Sequence, residues 1–237
     1  MIELYVYKKP ENSQLLNLSS FCAKSEAFMK FAQIDHTVIE FDGNPAKFSK
    51  GKLPIIKDNG EIIEDSSFIE EYLSQKFKLD FNNHLSKVDH AIGFSLSKLA
   101  KETLYWTLLS ERWFVDENWL RLREQFFGTL PRVIKPFISN MVRRNTKKSS
   151  YGHGIGRHTR DEIDQIGRKC LQSISDFLGE KRFLFGDKIS TYDISLYAVL
   201  SNALMSDLNP KLQGYAQKMA NLNKYVESVS EQLVGDS

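Results

Sequence analysis

The chain has 237 residues, 41% hydrophobic and 26% charged, a composition that supports a buried core and excludes disordered, collagenous and membrane-spanning classes. With 32 basic and 30 acidic residues the formal charge is +2, so no global field drives it onto nucleic acid or anionic lipid, and the length suits one large domain or two small ones. No apolar run approaches the roughly 20 residues of a membrane span, the opening MIELYVYKKPEN lacks a signal peptide's apolar centre, and two cysteines, Cys22 and Cys170, make no disulfide framework, so a soluble, cytoplasmic protein with reduced thiols is expected.

Residues 2–7 and 37–41, rich in branched and aromatic side chains, predict two strands. Between them, residues 20–34 place Phe21, Ala27, Phe28 and Phe31 at mainly helical spacing, giving β-α-β. Residues 53–57, the turn Asp58-Asn59-Gly60 and residues 61–63 predict a hairpin, because Asn-Gly supplies the positive φ angles of a tight turn. Residues 65–77 then set Phe68, Ile69, Tyr72, Leu73 and Phe77 along one helical face. The polar stretch 78–84 follows, and beyond it strand-like runs cease. The chain therefore divides into an α/β domain over 1–78 and an all-helical domain over 85–237, with helices predicted at 88–112, 117–146, 161–178, 191–207 and 215–233. Ser190-Thr191-Tyr192-Asp193 is a capping box, with Ile189 and Ile194 placed for a hydrophobic staple.

This order, with Ser19-Ser20-Phe21-Cys22 opening the first helix, Lys52-Leu53-Pro54 opening the third strand and Asp65-Ser66 opening the next helix, resembles the glutathione S-transferase superfamily. The resemblance implies a thioredoxin-like first domain followed by a helical bundle. Gly51-Lys52-Leu53-Pro54-Ile55-Ile56 with Asp65-Ser66-Ser67-Phe68-Ile69, and Gly152-His153-Gly154-Ile155-Gly156-Arg157-His158, are similar to the metaxin-related branch that includes the failed axon connections proteins. Two departures stand out: Ser20 occupies a position where the branch has proline, and the membrane segment of eukaryotic members has no counterpart here. The second departure implies a soluble relative.

A helix start near Ser19 or Ser20 offers about half a positive charge, and a thiolate is an anion such an end favours. Either serine also reads as a plain N-cap. The resemblance puts Ser19 at the first position of the family's active motif and implies that its hydroxyl stabilises the glutathione thiolate. Cys22 matches the second cysteine of a C-x-x-C pair whose first member is missing. That leaves a monothiol mixed disulfide with glutathione if the Cys22 sulfur is exposed, or a small buried apolar residue facing the sheet. Pro54 reads either as an edge-strand proline or as the residue after a cis bond; the resemblance implies the cis bond, with the Leu53 main chain pairing with the cysteinyl part of glutathione. Asp65 and Ser66 read as helix caps, and the same N-terminus suits a carboxylate. By resemblance Ser66 takes the γ-glutamyl α-carboxylate, Asp65 lies near its ammonium, and Lys52 contacts the glycyl carboxylate.

Residues 125–160 contain eight basic and no acidic residues. Such a run marks an anionic substrate, a nucleic-acid or membrane surface, or a solvated face, and without a recognised binding module nucleic acid is not expected. The glycines of 152–156 lack the spacing of a phosphate loop, and His153 and His158 have no cysteines nearby, so neither nucleotide nor metal is expected. Arg157 and His158 are expected to approach a cleft between the domains, where Tyr105 and Trp106 supply an apolar wall. Three functions follow. One is conjugation of the glutathione thiolate to a small apolar electrophile, with glutathione as co-substrate and no other cofactor. The second is thiol exchange through Cys22, and the third an interaction module without catalysis. The resemblance also implies a twofold homodimer.

Overall fold

The computed structural model describes residues 1–9 and 13–233; residues 234–237 of the expected second domain lie outside that description. A four-stranded sheet is formed by β1 (Ile2–Val6), β2 (His36–Glu40), β3 (Ile55–Asp58) and β4 (Glu61–Glu64) in the order β2-β1-β3-β4. β1 pairs parallel to β2 and antiparallel to β3, and β3 pairs antiparallel to β4. The parallel pair is joined by the crossover helix α1 (Ser20–Phe31) and the antiparallel pair by the Asn59-Gly60 turn, both residues at positive φ. Ile55 and Ile56 point to opposite faces of the sheet and both are buried, so the sheet's centre is covered on both sides. α2 (Ser66–Phe77) returns from β4 and packs beside α1.

The helical part comprises α3 (Lys87–Lys98), a π-helical segment (Leu99–Leu104), α4 (Tyr105–Phe114), α5 (Asp116–Phe127), α6 (Lys135–His153), α7 (Arg160–Leu178), α8 (Thr191–Met205), α9 (Pro210–Ala216) and α10 (Ala220–Leu233). Two of the five expected helices divide. The one expected over 117–146 breaks between α5 and α6 at Pro131, which has no N–H to donate to a helical ladder. The last divides between α9 and α10. Conversely, α6 runs on past 146 through Gly152 to His153, so the glycine-containing stretch 152–158 begins as helix, and the turn comes at Gly154, with φ 109°.

α1 lies between the sheet and α8. Every residue from Cys22 to Met29 is therefore buried, and Lys24 is accommodated by an ion pair of 2.6 Å with Glu70 on α2. One continuous core runs from Leu4, Phe28 and Ile55 into Leu171, Ile194 and Leu200, so the α/β part and the helices pack as a unit. The polar connection between them is also tied down: the Asn82 amide donates to Thr191 Oγ1 and its carbonyl accepts from Thr191 N, each at 3.0 Å.

The capping box closes as its sequence requires. Buried Asp193 accepts from Ser190 N (2.8 Å), Ser190 Oγ (2.6 Å), Leu184 N (2.8 Å) and Tyr225 OH (2.9 Å). Burial raises its pKa even against these bonds. Ile189 and Ile194, the staple pair, are both buried. Because Asp193→Ala leaves three donors without an acceptor in the core and Tyr225 with only the long 3.4 Å bond to the residue-193 carbonyl, it should lower unfolding free energy by about 3 kcal/mol. Urea denaturation followed by circular dichroism measures this; a change below about 0.5 kcal/mol, the range of an ordinary surface substitution, would refute the cap's importance.

Candidate functional site

The loop entering α1 is held from two sides. Asn17, fully buried, donates from Nδ2 to the Tyr7 carbonyl (2.7 Å) and accepts from Ser19 N at Oδ1 (2.9 Å). From the helical side, Asn202 Nδ2 donates to the Asn17 carbonyl (3.0 Å) and Arg112 Nη1 to the Leu18 carbonyl (3.0 Å). Arg112 is 6% exposed and its other donors are taken by Asn202 and Asn209. Burial pushes its pKa down to about 10, which still leaves it a cation at neutral pH. Leu15 and Leu18 pack against Trp119, Leu122 and Leu208, so helical-domain side chains grip the apolar side of the same loop.

Ser19 is thereby set as the N-cap of α1. Its Oγ accepts from Cys22 N at 3.4 Å, and the serine is only half-buried. Accepting this bond leaves the hydroxyl proton free to be donated to an anion. Cys22, one turn in, is 0% exposed, and burial pushes its thiol up to about 12. The expectation of exchange through Cys22 required an exposed sulfur, and the structure instead shows the alternative, a buried apolar residue. Cys170 is likewise buried, its thiol pushed up to about 11 for the same reason. A second hydroxyl stands nearby. Tyr7, just beyond β1, is half-buried; burial, and then the neighbouring Cys22, raise its pKa more than the nearby Leu53 backbone lowers it, so its phenol remains neutral.

The Leu53-Pro54 bond is cis and both residues are buried. The preceding loop is clamped by Glu64, which accepts from Ser49 N (2.9 Å) and Lys50 N (2.7 Å). Lys52, largely exposed, pairs with Asp65 at 3.2 Å. Asp65 caps α2 at φ 81°, a left-handed conformation strained for a residue with a side chain. Its Oδ1 accepts from Ser67 N at 3.0 Å. Although burial raises the Asp65 pKa, the Ser67 amide and then Lys52 lower it further, so the carboxylate is charged. Ser66 is buried directly behind it.

Lys101 was not among the residues the sequence marked. It comes from the π-helical segment of the helical domain, and its Nζ donates to Ser67 Oγ at 3.3 Å. Burial, reinforced by the like charge of Lys24, pushes its pKa down to about 8. The first turn of α2 thus gathers a capping carboxylate, serine hydroxyls, free amides and a lysine from the other domain, a set suited to the carboxylate and ammonium of an α-amino acid. The wide π turn shifts helical phase, so counting by 3.6 residues does not bring Lys101 to this face.

Where the two parts meet, Phe21 of α1 lies edge-on to Tyr105 of α4 at 4.8 Å, Tyr105 adjoins Trp106 at 5.8 Å, and Trp106 stacks on His153 at 4.4 Å and 21°. Tyr105's phenol is pushed up to about 12, first by burial and then by Tyr7. Tyr105 and Trp106 thus form a continuous aromatic wall with Phe21. Arg157 and His158 are engaged elsewhere. Arg157 lies over Tyr151 and donates to its carbonyl (3.1 Å), while His158 faces Glu162 at 3.7 Å. Helix α6 continues far enough to make His153, rather than these two, the residue stacked on the wall.

Comparison with known proteins agrees with this layout. The glutathione S-transferase N-terminal domain family matches residues 20–119, and the glutathione S-transferase C-terminal domain family matches residues 167–229. Failed axon connections of Drosophila melanogaster is 28% identical over 98% of this chain and 58% of its own length. The isoprene-epoxide–glutathione S-transferase of Rhodococcus sp. is 31% identical over 77% of this chain and 78% of its own. Metaxin-1 of Macaca fascicularis is 24% identical over 77% and 60%. The chain thus spans about three-fifths of the length of the Drosophila and macaque relatives. A glutathione transferase from Phanerochaete chrysosporium superposes over 100% of this chain and 98% of that one with TM-score 0.68 and 13% identity. A glutathione S-transferase of Ceriporiopsis subvermispora in complex with glutathione does so over 100% and 99% with TM-score 0.63 and 18% identity. At these identities the two structures establish the fold.

Neither thiol should react in the native protein, since both are buried and protonated at neutral pH. Mass spectrometry after iodoacetamide treatment at pH 7.5 should find Cys22 and Cys170 unmodified without denaturant and both alkylated in guanidinium. Rapid native labelling of Cys22 would restore the exchange mechanism.

Proposed function

Because the chain belongs to the glutathione S-transferase family, we propose that it binds glutathione along the α/β domain and transfers its sulfur to a small apolar electrophile in the cleft. The observation that carries this reading is the half-buried Ser19 hydroxyl, spent as an acceptor on Cys22 N and free as a donor at the N-terminus of α1. In this reading the γ-glutamyl carboxylate lies at the start of α2 against Ser66, Ser67 and Lys101, with its ammonium beside Asp65. The cysteinyl backbone pairs with the Leu53 main chain, and Lys52 contacts the glycyl carboxylate. The sulfur then lies at Ser19, where the hydroxyl and the helix terminus favour thiolate over thiol. The electrophile rests on Phe21, Tyr105 and Trp106. The sulfur lone pair forms the new carbon–sulfur bond, and the leaving group or opened ring carries away the electron pair. The name of the Rhodococcus relative makes epoxides the first electrophiles to assay. A twofold homodimer belongs to the same reading; exposed Phe68, Val88 and Phe94 on α2 and α3 supply apolar contact area for it.

A second reading, an interaction module that binds no glutathione, is favoured by the likeness to Failed axon connections over nearly the whole chain. Isothermal titration separates the two: heat of binding with millimolar glutathione is expected, and its absence would favour the module.

Removing the thiolate's donor should affect the chemical step. Ser19→Ala should lower kcat about a hundredfold, leave glutathione affinity within about threefold, and displace the rising limb of the pH profile to higher pH. If Tyr7→Phe produces these effects and Ser19→Ala does not, the donor is the phenol.

Lys101 makes a separate prediction. With a folded pKa of about 8, its cation is present below that pH and lost above it, so affinity for an anionic carboxylate should fall as pH rises through 8. S-methylglutathione has no thiol to ionise, and the loss of its own α-ammonium at alkaline pH is common to both proteins, so the difference between the profiles of the unaltered chain and Lys101→Met isolates this effect. Lys101→Met should weaken binding of S-methylglutathione about tenfold at pH 7, as expected for a charge-assisted hydrogen bond, and remove the part of the fall centred near pH 8. An unchanged profile would remove Lys101 from the site.

A further inference from the structure

Helix α6 lies wholly in the part of the chain that neither family match covers, since one match ends at residue 119 and the other begins at 167. It packs against α4 with a thin inner stripe in which only Ser139 and Ser150 are fully buried. The opposite face is unusual for a solvated helix. Val133, just before it, is 77% exposed, Phe137 74% and Met141 56%. Arg144, Lys148 and Tyr151, all exposed, continue the same face at intervals of three and four residues. Arg132 flanks it, whereas Lys147, one turn after Arg143, lies over the Phe114 ring of α4 at 5.8 Å. Two basic residues turned toward the protein are paired, Lys135 with Glu124 and Arg143 with Asp116. Arg132, Arg144, Lys147 and Lys148 have no ion-pair partner among the described residues.

The charge distribution is equally one-sided. Residues 125–160 hold eight basic and no acidic residues, which leaves 24 basic against 30 acidic in the rest of the chain. A basic pole bearing protruding apolar side chains stands on a net acidic body. A solvated helix has no use for exposed phenylalanine and methionine. A small anion would satisfy the charges and leave those side chains in water, and so would nucleic acid. An anionic lipid surface satisfies both features at once: apolar side chains enter the acyl boundary while long basic ones reach phosphate and carboxylate headgroups. No helix among the described residues is long and apolar enough to cross a membrane, so the contact is peripheral.

We propose that the outer face of α6 is a docking surface for an anionic lipid bilayer, with Val133, Phe137 and Met141 inserted and Arg132, Arg144 and Lys148 at the headgroups. This is independent of glutathione binding.

Vesicle co-sedimentation tests it. The full chain should pellet with vesicles of phosphatidylcholine containing roughly 30% phosphatidylserine and stay in solution with phosphatidylcholine alone. Raising salt from about 0.05 M to about 0.5 M should release it, as the Debye length shortens. Arg132→Glu/Arg144→Glu/Lys148→Glu should weaken partitioning at least a hundredfold, since each basic side chain contributes about fivefold. Phe137→Asp/Met141→Asp should weaken it at least tenfold. Ile62→Asp, at an exposed apolar position of β4, should not change it. Circular dichroism checks that each variant is folded. Failure of the unaltered chain to bind phosphatidylserine vesicles at low salt would overturn the proposal, whatever the variants do. So would full binding by the folded Phe137/Met141 variant, which would reduce the effect to unspecific charge attraction. Sedimentation velocity showing self-association that the same variant abolishes would assign the face to a second copy of this chain and overturn the bilayer.

Discussion

Placement of the reactive corner depends on a buried guanidinium. Arg112 lies in the protein with no carboxylate at ion-pair distance among the described residues, and its donors are satisfied by neutral oxygens: the Leu18 and Asn202 carbonyls and the Asn202 and Asn209 side chains. Burying such an ion costs several kcal/mol unless nearly every N–H is matched. The five contacts make this site tolerable and at the same time specify geometry, because a planar fork with fixed directions admits few arrangements of its acceptors. One of those acceptors is the carbonyl immediately before Ser19. The helical domain thereby determines where the first helix of the other domain begins.

The same division of labour recurs at the far end of the groove. Asp65 holds a left-handed backbone conformation to present the first amides of α2, and that strain is tolerated because Ser67 N and Lys52 both bond its carboxylate. The cation facing these groups, Lys101, arrives from the helical domain through a π turn. Each end of the groove is thus assembled from both domains. The uninterrupted core from Leu4 to Leu200 gives the two parts little freedom to separate, and that rigidity suits a site whose task is to hold a flexible peptide in one pose.

How much of this the sequence reveals depends on the range of the physics involved. Local signals were legible: the Asn59-Gly60 turn, the Ser190–Asp193 box, and the helix starts at Ser19 and Asp65 involve residues within four positions of one another. Pro131 was equally local, and the helix expected over 117–146 ran through it only because apolar periodicity on either side outweighed a missing N–H. Residues that matter through distant partners were not legible. Arg112 follows Leu108 by four residues on a core-facing helix, a hint of burial, but only the fold brings Leu18, Asn202 and Asn209 to it. Lys101 was hidden by the π turn, and His153 by glycines on either side that suggested a loop. Cys22 shows the converse. Its position in a C-x-x-C-like register suggested chemistry, while burial, which the linear motif does not encode, makes it packing.

The segment outside both family matches connects the two faces of the protein. α5, which straddles the end of the first match, contributes Trp119 and Leu122 to the clamp on the Ser19 loop, and α6, outside both matches, ends with His153 against Trp106, so the inner sides of these two helices meet the Ser19 loop and the aromatic wall. The outer side of α6 carries the exposed apolar and basic residues. A rigid helix cannot meet a lipid surface on one side without fixing the orientation of the cleft on the other. Apolar electrophiles concentrate in lipid by the same transfer free energy that would seat Phe137 and Met141 there. Docking through α6 would therefore place the Trp106 end of the aromatic wall, stacked on His153, on the opposite side of the helix that meets the phase where such substrates accumulate. That arrangement gives α6 a physical reason to carry hydrophobic side chains on its exposed face.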